Sequence, residues 1–145
     1  MTVQDWGINA PAGRVINSET GRIVPQRIQQ RRTKGWRLPL NAKSVARPSK
    51  WGNPWRVVRE DCNLGGMCWA VAGPGYTTGH LDSEVVAREI AVRRFEDWIP
   101  DHWRGRRGLI AIELRGLDLA CWCPLPEPGE TDYCHAAVLL REANR

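Results

Sequence analysis

Phenylalanine occurs once in these 145 residues, tyrosine twice and methionine twice, while tryptophan occurs eight times. No stretch approaches the roughly twenty apolar residues that a membrane span needs, so no membrane partner is expected. No basic segment leading into an apolar run opens the chain, so a secretory signal is not expected either. Internal repeats and low-complexity tracts are also missing. Five cysteines is an odd number, and without a secretion signal it favours reduced thiols in a cytoplasmic setting over a disulfide scaffold.

What is present is uneven. Residues 1–60 carry twelve Lys/Arg against three Asp/Glu, and residues 61–145 carry nine against thirteen. A basic first part suits a phosphate-bearing partner, nucleotide or nucleic acid, although a solvated surface would look the same. Trp36, Trp51 and Trp55 lie beside basic or turn residues, where an indole can stack on a base. Trp69, Trp98 and Trp122 are read as core.

The pattern of elements predicts a small α/β or α+β domain over residues 26–145. It would have one sheet and two main helices, behind an N-terminal arm or hairpin over residues 1–25 that turns around 17–21. The clearest helix is 82–98: Asp82 or Ser83 can cap it, and Val86, Ala87, Ile90, Ala91, Phe95 and Trp98 form an apolar stripe. A short helix or strand is expected at 109–114, a buried strand at 119–123 and a last helix at 133–143. Cys62 and Cys68, with five residues between them and no neighbouring histidine in sequence, are assigned to structure or chance.

Two constellations carry chemistry. The first is Arg47-Pro-Ser-Lys-Trp-Gly-Asn-Pro-Trp, a loop stiffened by Pro48 and Pro54, with Gly52 and Asn53 permitting left-handed backbone. Arg47, Ser49, Lys50 and Asn53 offer donors to a phosphate or ribose, and Trp51 or Trp55 a stacking face. Arg27, Arg31 and Arg32 add cationic charge upstream. A plain turn whose tryptophans plug the core is the other reading. The second constellation is Cys121-Trp-Cys followed by Cys134-His135. Strand alternation puts Cys121 and Cys123 on one side, and Cys134 and His135 open a helix whose free amides favour a thiolate. This places the site at a strand end facing a helix start. Three readings stand open: zinc held by Cys121, Cys123, Cys134 and His135, a catalytic Cys134 helped by His135 or Arg115, or buried small residues beside a tryptophan. Glu113 or Asp118 is a candidate acid/base helper.

These motifs, with Arg27-Ile-Gln-Gln-Arg-Arg-Thr-Lys-Gly-Trp-Arg and Leu114-Arg-Gly-Leu-Asp-Leu-Ala, resemble a phage and bacterial family catalogued as domain of unknown function 4326. The resemblance runs in order from about Arg27 to Ala143. Here the loop 124–133 is longer than the family's usual Pro-rich turn, and Glu127, Glu130 and Asp132 bring acid near the cysteines. The phage setting implies nucleotide or nucleic-acid metabolism, or contact with a host protein. The expectation is therefore a phage-type enzyme acting on a nucleotide or nucleic acid, by base modification or by glycosidic or phosphate-bond cleavage. The alternative is a non-enzymatic nucleic-acid-binding or host-interacting module with a structural zinc.

Overall fold

The computed structural model describes residues 16–62 and 65–145. Among the described residues it is an α+β arrangement of two small sheets and three α-helices. Three parallel strands form the first sheet: β1 (Arg27–Gln29), β2 (Ala42–Ser44) and, between them, β6 (Asp118–Cys121). Every residue of β6 is buried, as befits a strand flanked on both edges and covered on both faces. The register pairs Gln29 with Cys121 and Ser44 with Ala120, so all three strands end along one edge.

The second sheet is an antiparallel meander of β3 (Arg56–Cys62), β4 (Gly66–Gly73) and β5 (Tyr76–Thr77). One sheet was expected from the sequence; two form because the glycine-rich middle of the chain turns back on itself before the first helix. Gly73 is required by contact: a Cβ there would lie 2.3 Å from the Trp55 ring. Within the expected arm or hairpin, residues 17–21 form a turn closed by an isolated Ile16–Ile23 bridge, with the Asn17 side chain accepting from the Glu19 and Thr20 amides. The rest of the expected arm, 1–15, lies outside the described residues.

Helix α1 (Glu84–Trp98) is capped by Ser83, whose hydroxyl accepts from the Val85 amide. Its buried stripe is narrower than expected: Ala87, Ala91 and Phe95 are buried, whereas Val86 and Trp98 are largely exposed. The segment 109–114 resolves as helix α2 (Leu109–Leu114), and α3 (His135–Ala143) closes the chain with Cys134 at its N-cap. Phe95, Leu114, Leu119, Leu139, Val45 and Trp51 fill the main core between the parallel sheet and the helices. A smaller cluster of Trp55, Val71, Ala87 and Ala91 joins the meander to α1. No helix among the described residues is long and apolar enough to cross a membrane.

Candidate functional site

Because the first sheet is parallel, the segments that leave its three strands emerge at the same edge. Arg32 follows β1, Ala46 and Arg47 follow β2, and Trp122 and Cys123 follow β6. They meet the start of α3 and the inner face of α1 around a cavity of about 440 Å³. Cys121, Cys123 and Cys134 line it together with Arg32, Arg47, Arg56 and Arg88. Cavities at the carboxyl ends of parallel strands are where such sheets place ligands.

The three sulfurs form a triangle whose members all lie within 4.8 Å of one another, with 3.8 Å between Cys121 and Cys123. Strand alternation carries through: Cys123, two residues beyond Cys121, returns to the same side although β6 has ended. A tetrahedral zinc with bonds of about 2.3 Å requires sulfurs about 3.8 Å apart, so this spacing fits one face of such a centre. The sulfurs also polarise one another. Hydrogen bonds from the Cys123 and Cys134 thiols push Cys121 below the usual thiol range, with the Arg27 guanidinium adding to the effect. Cys123 and Cys134 are pushed up, first by the ionised Cys121 beside them. One thiolate shared by two S–H donors is the outcome.

His135 does not complete the set. Its Nε2 lies 2.7 Å from the Val45 carbonyl, which only a protonated nitrogen can satisfy, and its Nδ1 is 3.9 Å from Cys134 Sγ. It lies outside the three-sulfur group. Burial holds the ring below its usual pKa, hence neutral, and Phe95 packs edge-on against it at 5.2 Å. Its role is to fasten the start of α3 to the end of β2.

Further assignments change. Arg27, expected at phosphate, is buried: it pairs with Asp132 and donates to the Cys123 and Pro124 carbonyls. It therefore pins both ends of the long loop beside the cysteines. Trp51, expected to stack on a base, is 1% exposed and packs edge-on against Trp103. Lys50 leaves the cavity for Glu113, 2.7 Å away, and Ser49 is an exposed turn residue that does not line it. Neither Glu113 nor the buried Asp118, which accepts from the Gln26 amide, reaches the cavity as an acid/base helper. Arg115, the other proposed helper, donates to the Ala143 carbonyl.

Arg47, Asn53 and Trp55 do line the cavity, as does Arg32, while Arg31 borders a neighbouring shallow groove. Arg47 donates to the Asn53 carbonyl, and Asn53 ties the loop to α1 through the Ala91 carbonyl. Gly52 serves close approach rather than left-handed backbone: a Cβ there would sit 2.7 Å from Arg47 Cγ.

Arg56, Arg88, Tyr133 and Trp122 line the cavity without having been singled out for it. Trp122, read as core, is 41% exposed with the Arg32 guanidinium 4.5 Å over its ring. Arg56 was visible as the residue following the loop motif. Arg88 required knowing how α1 docks. Reduced thiols were expected over a disulfide scaffold: Cys121, Cys123 and Cys134 are free, whereas Cys62 and Cys68 are joined in a disulfide.

A small α+β domain with a thiol-floored, arginine-walled cavity at the carboxyl edge of a parallel sheet is thus the class defined by fold and site. Residues 28–145 match the family described as Domain of unknown function (DUF4326), and the chain belongs to it. No curated protein and no solved structure matches the chain.

Proposed function

We propose that this protein is a small enzyme acting on a phosphate-bearing nucleotide unit, free or within a nucleic acid. The observation that carries the reading is convergence: four guanidinium side chains and three mutually contacting thiols face one cavity. Among the lining residues Glu84 is the one carboxylate, so the cavity favours an anion. Arg47, Arg56 and Arg88 would hold phosphate, and Trp122 under Arg32 offers a face to a base. A zinc ion held by Cys121, Cys123 and Cys134 would supply Lewis-acid chemistry at a fourth position open to the cavity. His135 fastens the start of α3, where Cys134 sits, and Tyr133 lines the same wall.

A second reading, a binding module with a structural zinc, draws on the burial of Cys121 and Cys134. One experiment separates the two. Nucleoside monophosphates and short oligonucleotides are titrated and incubated with wild type, Arg47→Ala, Arg88→Ala and Cys134→Ser, with products read by mass spectrometry and folding by circular dichroism. The enzyme reading expects at least tenfold weaker binding in the arginine variants and a folded, product-free Cys134→Ser. Product formation by Cys134→Ser, or binding unchanged in both arginine variants, contradicts it.

A further inference from the structure

Away from the cavity, the chain carries a second sulfur cluster on the meander. Cys62 and Cys68 lie on the paired strands β3 and β4 and are bonded to each other. His80, twelve residues beyond Cys68 in sequence, brings its Nδ1 to 3.8 Å from Cys68 Sγ. All three ligand atoms lie within 4.8 Å of one another. Proximity on this scale is imposed by backbone. Leu81 exchanges both hydrogen bonds with Trp69, at 2.9 Å each, which fixes the chain next to His80 against β4.

His80 itself sits at φ 57, the one described non-glycine residue with positive φ. Such backbone is disfavoured for a side chain with a Cβ and is found where a site demands a particular orientation. The imidazole of this residue lies beside the sulfurs. Glu60 is the cross-strand partner of Cys68 and so shares its face, and its Oε1 would touch a Cβ on Gly79, the residue before His80. Two sulfurs, one imidazole nitrogen and a neighbouring carboxylate are the donor types that zinc selects.

We infer that Cys62, Cys68 and His80 form a second, redox-gated site for zinc or a similar thiophilic divalent cation. The disulfide is its closed state. A dithiol or phosphine reductant transfers two electrons to the Cys62–Cys68 bond, two protons complete the thiols, and the reductant leaves oxidised. The cation then displaces both thiol protons and takes the His80 nitrogen, with Glu60 or water in the fourth position. A small-molecule disulfide or a peroxide takes two electrons from the two thiolates, leaves reduced to thiol or water, and so restores the S–S bond and releases the cation. The site is independent of the nucleotide reading, since none of its residues lines the cavity.

The full chain, oxidised or reduced with a phosphine, is titrated anaerobically with cobalt(II), following thiolate-to-cobalt charge-transfer absorption. The reduced wild type is expected to bind one more equivalent than the oxidised form. That increment should vanish in Cys68→Ser and fall at least tenfold in affinity in His80→Ala. Cys123→Ser, which removes a ligand from the other cluster, should retain it. The comparison of oxidised and reduced wild type needs no variant, so misfolding of a mutant does not spoil the test. Equal cobalt uptake in both redox states, or an increment that survives Cys68→Ser, overturns the inference.

Discussion

The two sulfur clusters are built on opposite principles. Cys121 and Cys123 come from one strand end, two residues apart, and meet Cys134 across the sheet–helix junction. That triangle is held from behind by Arg27, whose guanidinium gathers Asp132 and two loop carbonyls. Cys62 and Cys68 come from two paired strands of the meander, and their histidine arrives on a separate turn. The first cluster is assembled by the core and keeps free thiols; the second is assembled by backbone pairing and closes on itself. Anchoring, not cysteine content, sets which chemistry each can do.

The largest expected effect breaks the anchoring of the first cluster. Removing a buried charge partner typically costs about 3–5 kcal/mol, so Arg27→Ala is expected to lose stability on that scale in urea unfolding. It should also raise the alkylation rate of Cys123, because the loop ends come free. A loss within about 0.5 kcal/mol, the usual range for a surface substitution, would mean the clamp is ornamental. Next comes the second cluster. Cutting a short disulfide loop costs about 2–3 kcal/mol on chain-entropy grounds. Reduction of the metal-free wild type should lower its unfolding free energy by that amount, and reduction of Cys68→Ser should lower it not at all.

The pH dependence sharpens the contrast further. In the metal-free chain Cys121 is lowered from a thiol's ordinary 9.0, so the unfolded chain binds more protons below that pH and stability rises as pH rises toward 9. Cys134 is raised, so above 9 the unfolded chain sheds a proton that the folded chain keeps, and stability falls again. His135, lowered from 6.5, adds a loss as pH drops below 6.5. A melting-temperature profile with a maximum near pH 9 is expected, flattened on both sides in Cys121→Ser. A wild-type profile identical to that variant would remove the shared thiolate. The smallest stability effect belongs to Trp122→Ala, within about 0.5 kcal/mol because the ring is exposed. That variant should nevertheless weaken nucleotide binding measured by calorimetry; full affinity would take Trp122 out of the site.

Much of the first cluster was legible in the sequence because its geometry is local. Alternation along 119–123 and the start of an apolar helix at 134 suffice to bring three sulfurs together. Arg47, Asn53 and Trp55 were legible for the same reason, since Pro48 and Pro54 bound their loop. Arg27 was not, because its partner Asp132 is over a hundred residues away in sequence. Trp51 and Trp122 exchanged roles because each is a tryptophan beside a basic or small residue, and only packing separates them. His80 was missed because it reaches Cys68 through sheet pairing, and nearness along the chain carries no trace of that.

The central claim is that guanidinium wall and thiol floor serve one ligand. Alkylation of Cys123 in the reduced, metal-free chain, timed with and without a saturating nucleoside monophosphate, addresses it directly. The account predicts that the nucleotide slows modification at least fivefold in wild type and fails to do so in Arg47→Ala. A rate indifferent to nucleotide, in a chain shown to bind it, would place the phosphate site elsewhere and contradict the account.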